Sequence, residues 1–225
     1  MNNPNTTLTR TWTCVLFDLD GTLTDSAPGI TSSLTQTFTT LGLPVPDEAG
    51  LLAYVGPPLL ESFRTFAGMS ELEALNALTV YRDAAVSRDL HDNAVFPGIV
   101  GLLRSLSEAG IPVAVATSKP ESRAIRILEH FGIADYFQVI AGASEDESRS
   151  TKTDVVAYAL DRLRDLDVDL SRAVLVGDRS HDVEGATANG IPTILVEWGY
   201  GSPAEADGAM AIVHSADQLR KLLLG

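Results

Sequence analysis

Short apolar, β-branched runs alternate along the chain with longer segments in which apolar residues return every three or four positions. The short runs predict strands at residues 14–17, 112–116, 138–141, 173–176, 193–196 and 211–213. Between them, stripes such as Ile99, Leu102, Leu103, Leu106 and Ala124, Ile127, Leu128, Phe131 follow the i, i+3, i+4, i+7 spacing of helices with one buried face. Strands apolar on both faces, alternating with such helices, form a parallel sheet covered on both sides. The pattern therefore predicts an α/β fold with a doubly wound parallel-sheet, Rossmann-like core. The Leu and Phe stripes are assigned to packing.

Nearly a hundred residues separate the first strand from the second, far more than one crossover helix needs. Residues 27–93 read as helical throughout, broken at Leu43-Pro44-Val45-Pro46, Gly56-Pro57-Pro58 and Gly68, with no convincing strand. Phe96-Pro97-Gly98 reads as a turn before a new helix. The expected organisation is an α/β core of residues 1–26 and 94–225 with a helical cap of residues 27–93 inserted into it.

Composition narrows the function classes. The chain has 225 residues, 45% of them hydrophobic, and 16 Lys plus Arg against 30 Asp plus Glu give a net charge of −14. This much apolar content argues against disorder. Nucleic acid binding needs a basic stripe to displace counterions, which so acidic a chain does not offer. The single cysteine, Cys14, excludes an internal disulfide and reads as a small buried strand residue. The first ten residues lack the charged start and apolar run of a secretory signal, and no later run approaches 18 apolar residues. The expectation is a cytoplasmic protein, monomeric or weakly homodimeric, that binds neither nucleic acid nor membrane; a small phosphorylated or carboxylated ligand would need only a local positive site.

The run Val15-Leu16-Phe17-Asp18-Leu19-Asp20-Gly21-Thr22-Leu23-Thr24-Asp25 carries an apolar strand straight into two carboxylates. In extended chain, residues i and i+2 point to the same side. Like charges that close repel unless a cation or a shared proton lies between them. A polar strand end and a calcium loop are the plainer readings. A calcium loop beginning at Asp18 would need an oxygen ligand at its fifth position, Gly at its sixth and Glu at its twelfth. Those positions hold Thr22, Leu23 and Gly29, so the last two fail. Lys152 falls in or just before the first turn of the helix carrying Val155, Val156, Ala159, Leu160 and Leu163. The helix dipole disfavours a cation there by about 0.3–1 kcal/mol. Such a lysine has a functional reason or sits on a solvated surface. Asp18, Thr117 and Asp178 each stand at a strand end, and ligands of open α/β sheets bind in the crevice beyond those ends.

The segment Asp18-Leu19-Asp20-Gly21-Thr22-Leu23-Thr24-Asp25 resembles the first motif of the haloacid dehalogenase superfamily of phosphohydrolases. Thr117 at the end of the strand 112–116 is similar to the second motif, and Lys152 opening its helix to the third. Gly177-Asp178-Arg179-Ser180-His181-Asp182 is similar to the fourth. The helical insertion also stands where capped members carry theirs. The resemblance implies a phosphatase acting on a small phosphate monoester. Asp18 would be the nucleophile that forms an aspartyl phosphate, and Asp20 the general acid and base. Thr117, Ser118 and Lys152 would hold the phosphate. Mg²⁺ would be bound by Asp18, the backbone carbonyl of Asp20, Asp178 and Asp182. Two alternatives remain at this point: a capped sugar phosphomutase, which shares Asp18 and Asp20, and a catalytically silent Mg²⁺-binding interaction protein.

The cap segment Tyr54-Val55-Gly56-Pro57-Pro58-Leu59, with Ser62 and Arg64, resembles the corresponding segment of phosphoglycolate phosphatases and 5′-nucleotidases. Tyr54, Gly56 and Arg64 are its candidate substrate contacts, Tyr54 by stacking on a base and Arg64 by holding a carboxylate, against the plainer reading that they pack or face solvent. Lys119 and Arg123 follow Thr117 and could favour phosphate, against the plainer expectation that they are solvated, as is the run Glu145-Asp146-Glu147. Arg179 and His181 are candidates for supporting roles. Trp198-Gly199-Tyr200-Gly201 is expected on the active-site edge as a glycine-flexed turn with packed aromatics.

Overall fold

A computed structural model of the chain describes residues 11–86 and 88–225. The reading of residues 1–10 as lacking a secretory signal lies outside the described residues. The elements run β1 (Cys14–Phe17), β2 (Thr24–Asp25), α1 (Ala27–Thr40), α2 (Glu48–Leu52), α3 (Leu59–Phe66), α4 (Glu71–Ala85), α5 (Arg88–His91), β3 (Ala94–Val95), α6 (Ile99–Glu108), β4 (Val113–Pro120), α7 (Glu121–His130), β5 (Val139–Ala143), α8 (Lys152–Asp165), β6 (Ala173–Gly177), α9 (Ser180–Ala188), β7 (Thr193–Val196), β8 (Ala211–Val213) and α10 (Ala216–Leu224). No helix among the described residues is long and apolar enough to cross a membrane.

Six strands form one parallel sheet in the order β5-β4-β1-β6-β7-β8. The chain leaves β1 for β4 and β5 on one side, then crosses back to β6 on the other, so β1 lies at the switch point where a crevice opens. Period-two alternation divides the strand side chains between two cores. Val15 and Phe17 pack with the helices α6, α7 and α10 through Leu102, Leu103, Leu106, Ile127, Leu128, Leu219 and Leu223. Cys14 and Leu16 pack on the other face with Val155, Val156, Ala159 and Leu163 of α8. Burial pushes the Cys14 thiol up to about 12, as suits a packing residue.

All six strands predicted from the sequence are present, with one correction of extent. β4 runs on to Pro120, so Thr117 lies within it and does not end it. Pairing with β5 resumes beyond Thr117 after a shift of register, Pro120 facing Ala143. Such an irregularity bends the strand and re-aims its side chains. It carries Thr117, Ser118 and Lys119 over the carboxyl edge of the sheet.

Helices α1 to α4 enclose a third apolar cluster containing Leu34, Phe38, Tyr54, Phe63, Ala77, Leu78 and Tyr81. The N-terminus of α4 is closed by a capping box between Ser70 and Glu73. The helical segment joins the sheet unit through the antiparallel pair β2 and β3, in which Thr24 faces Val95 and Asp25 faces Ala94. Two-residue strands give no periodicity in sequence, and this pair was not anticipated. Leu103 is fully buried. Leu103→Ala is expected to cost about 2–5 kcal/mol, measured as a lower urea midpoint at unchanged slope.

Candidate active site

The site is built at the carboxyl end of β1. Asp18 N–H donates to Val176 O at 2.8 Å, carrying the ladder one residue past the strand. A tight turn follows, with the N–H groups of Leu23 and Thr24 donating to Leu19 O. Gly21 is required there, because its φ is +81° and a Cβ would stand 2.3 Å from Asp178 Oδ2. Asp18, Asp20, Asp178 and Asp182 are all buried.

Lys152, the first residue of α8, ties the cluster together. Its Nζ lies 2.6 Å from Asp18 Oδ1 and 2.7 Å from Asp182 Oδ1. The two carboxylates compensate for its place at a helix start, where the dipole opposes it. Thr151 takes over the capping, accepting from Asp154 N–H. Burial works against the charge on Lys152, but Asp18 and Asp182 outweigh it and raise its pKa. Asp182 spends its other oxygen on structure, Oδ2 accepting from the N–H groups of Asp178 and Arg179 at 3.0 Å each. Both oxygens of Asp182 thus have protein partners.

Asp178 differs. Its Oδ2 accepts from Tyr200 N–H at 2.7 Å, while Oδ1 is buried with no hydrogen-bond partner among the described residues. Gly199 leaves room for this carboxylate, since a Cβ there would stand 2.4 Å from Asp178 Oδ2. Carboxylate oxygens of Asp18, Asp178 and Asp182 lie within 4.8 Å of one another. Burial, and then repulsion from Asp182 and Asp18, raises the pKa of Asp178. Asp18 is pushed up to about 6 by burial, with Asp182 and Asp20 adding to the shift and Lys152 opposing it. An orphaned buried oxygen among crowded carboxylates fits a hard divalent cation with oxygen ligands.

Asp20 has a partner of its own. Lys119 Nζ lies 3.0 Å from Asp20 Oδ2, and Lys119 is buried. This corrects the expectation of a solvated lysine: the irregularity in β4 turns the side chain inward. Thr117 is buried beside it, its Oγ1 accepting from Lys119 N–H. Ser118 Oγ is buried and without a hydrogen-bond partner among the described residues, which leaves it able to meet a ligand. Asp20, Ser118 and Lys119 line a cavity of about 50 Å³ together with Tyr54, Gly56, Pro57, Tyr81, Arg82, Arg123 and Glu147.

The cap residues divide. Gly56 lines this cavity, beside the Arg179 side chain. Tyr54 reaches it too, but its ring belongs to the cap core, with centroids 6.0, 5.6 and 5.2 Å from Phe38, Phe63 and Phe66. The ring thus packs, as in the plainer of its two readings. Arg64 is exposed and borders a separate groove with Glu61, Thr65 and Met69, away from the cavity that Asp20 lines. The cap cation of the cavity is Arg82, which pairs with Glu147 and donates to Glu145 O. The sequence signal for it was its position next to Tyr81, at the edge of the apolar stripe of α4. Arg123 sits 5.7 Å from the Tyr81 ring centre, and Glu147 is half-buried, so neither is the solvated group expected. Arg179 pairs with Glu205 at 2.8 Å and donates to Val55 O at 2.5 Å. His181 lines an outer groove that also borders Lys152.

The model of the haloacid dehalogenase-like hydrolases matches residues 15–196. The chain is 49% identical to the tyrosine-protein kinase PtkA of Mycobacterium tuberculosis, over 93% of this chain and 72% of that one. It is 38% identical to a 5′-nucleotidase of Pseudomonas aeruginosa, over 93% and 94% of the two chains. To a phosphoglycolate phosphatase of Cupriavidus necator it is 33% identical, over 94% and 93%. The crystal structure of a predicted phosphatase from Clostridium acetobutylicum superposes with a TM-score of 0.88 at 43% identity, covering 94% of this chain and 97% of that one.

Two outcomes follow from the geometry. Lys119→Met leaves Asp20 without its partner and is expected to lower kcat by about 10–100-fold, with an unchanged far-ultraviolet circular dichroism spectrum. Because the folded-state pKa of Asp18, about 6, lies above its ordinary 3.8, its contribution to stability is complete below pH ~4 and is lost as pH rises through ~6. The Tm gap between protein with a divalent metal and protein in chelator should therefore widen from pH 5 to pH 7, as thermal melts will read.

Proposed function

The chain belongs to the haloacid dehalogenase-like hydrolase family and is a hydrolase of phosphoric monoesters, and on that premise we propose that it is an Mg²⁺-dependent phosphatase acting on a small anionic monoester through Asp18. The observation that carries this reading is the buried cluster in which Lys152 bridges Asp18 and Asp182 while Asp178 Oδ1 stays without a hydrogen-bond partner among the described residues.

Asp18 attacks phosphorus through a carboxylate oxygen, forming an aspartyl phosphate as the bond to the leaving oxygen breaks. Asp20 gives its proton to that oxygen, then takes one from a water that attacks the phosphoenzyme, which frees phosphate and restores Asp18. Lys119 holds Asp20 in place for both steps. Lys152 fixes Asp18 and offers positive charge to the phosphoryl oxygens, with Thr117 and Ser118 as hydroxyl donors. The residues that would hold Mg²⁺ are Asp18, the backbone carbonyl of Asp20, Asp178 and Asp182, which also orients Lys152 and the turn at Asp178. The ion would offset the charge that otherwise repels a phosphate dianion.

The cavity favours a small leaving group. Tyr54, Gly56, Pro57 and Tyr81 close in over Asp20 and Ser118 on this side, which suits a short hydroxy acid better than a nucleoside. Arg82, paired with Glu147, and Arg123 also line it, and would favour a leaving group that carries a carboxylate. A phosphoglycolate-like monoester therefore fits better than a nucleoside monophosphate.

The relative named a tyrosine kinase favours a second reading, in which a tyrosine hydroxyl replaces water as acceptor. One experiment separates them. Phosphate release is measured over a panel of 2-phosphoglycolate, nucleoside monophosphates and sugar phosphates, with and without Mg²⁺, beside transfer from ATP to a tyrosyl peptide. The expected result is Mg²⁺-dependent release, fastest from 2-phosphoglycolate and abolished in Asp18→Asn. Transfer to the peptide without phosphate release, isomerised sugar phosphate, or full activity of Asp18→Asn would overturn the proposal.

A further inference from the structure

Helix α1 begins at the junction between the sheet unit and the helical segment, and its first N–H groups need acceptors. Ser26 stands at the N-cap position but makes no side-chain capping bond. Its hydroxyl is buried with no hydrogen-bond partner among the described residues. The acceptor is supplied from across the junction. Tyr200 Oη accepts from Ser26 N–H at 2.8 Å and from Ala27 N–H at 3.0 Å. It donates its own proton to Asp25 Oδ1 at 2.8 Å. One phenol thus binds three consecutive residues at the point where the chain leaves the sheet unit.

The backbone of the same residue faces the other way, with Tyr200 N–H donating to Asp178 Oδ2 at 2.7 Å. The segment around it is held closely. Trp198 Nε1 donates to Thr22 O at 3.1 Å, in the turn that follows Asp18, and the Tyr200 ring packs against the cap cluster. Arg179, the residue after Asp178, makes a parallel tie by donating to Val55 O in the cap loop. The acidic cluster and the cap are therefore joined by short hydrogen-bonded paths.

We infer that Tyr200 is a positioning residue that couples the Asp178 carboxylate to the seating of helix α1. The inference rests on the reading that Asp178 helps hold a divalent cation. With a cation held at Asp178, the carboxylate would be fixed in orientation, and with it the Tyr200 amide that donates to Oδ2. The ring carries that constraint to the amides of Ser26 and Ala27. Coupling of this kind is reciprocal, so loosening the phenol weakens the hold of the cluster on the cation.

Tyr200→Phe removes the hydroxyl and keeps the ring and the amide. Mg²⁺ affinity is measured by titration calorimetry, and hydrogen exchange is followed in peptides covering residues 24–30 with and without Mg²⁺. In the wild-type protein Mg²⁺ should slow exchange there by about fivefold or more. In Tyr200→Phe exchange should be fast and insensitive to Mg²⁺, and Kd for Mg²⁺ should weaken by about fivefold. Asp25→Asn, which keeps both accepted bonds, should move both quantities less and in the same direction. Wild-type protein that binds Mg²⁺ without any change in exchange at residues 24–30 overturns the coupling, as does an unchanged Kd in Tyr200→Phe; the first needs no variant. Wild-type protein that binds no Mg²⁺ overturns the metal reading and the inference with it.

Discussion

The double ion pair of Lys152 is the interaction on which the site depends. Buried carboxylates repel, and in a medium of low polarity the cost of crowding them is several kcal/mol per ion. Lys152 offsets part of that cost by standing between Asp18 and Asp182 at 2.6 and 2.7 Å. Its place at the head of α8 fixes the ammonium by backbone geometry, so a side chain with four rotatable bonds delivers a defined charge. Asp182 in turn uses its second oxygen to hold the amides on which Asp178 depends. The chain of contacts runs from α8, through Lys152 and Asp182, to the orientation of Asp178.

The charge balance of the crevice follows from the same contacts. Four buried acids face two buried lysines, Lys119 and Lys152, leaving two negative charges. A divalent cation would bring that count to zero, which is why a strongly acidic chain is compatible with an anionic substrate. The net charge of the whole chain carried no information on this point, because the relevant charges lie in a few buried positions.

Much of this was legible in the sequence. The strands were readable because parallel strands are apolar on both faces, as in Val15, Leu16 and Phe17. Asp18, Asp20 and Asp178 were readable because carboxylates at strand ends have little structural reason to be there. Lys119, Arg82 and Glu147 were not. Each is a charged residue in a polar neighbourhood of sequence, and only the irregularity in β4 and the packing of α4 over the loop after β5 turn them inward. Tyr54 was ambiguous for the complementary reason: a tyrosine beside glycine and proline fits a binding loop or a core equally well, and its aromatic partners, Phe38, Phe63 and Phe66, are dispersed over nearly thirty residues.

The pair β2 and β3 also bears on how such a molecule can vary. Thr24 faces Val95 across an antiparallel pair, so the segment between them starts and finishes at adjacent points, about 5 Å apart as in any such pair. The sheet therefore experiences the intervening residues as a closed loop attached at one place, and loop closure costs little more as that loop lengthens. An unrelated insertion with neighbouring ends would leave β1, β4 and β6 in register. The acidic cluster and the helical segment lie on parts of the chain that can vary separately, with Asp25 and the phenol of Tyr200 as the socket between them.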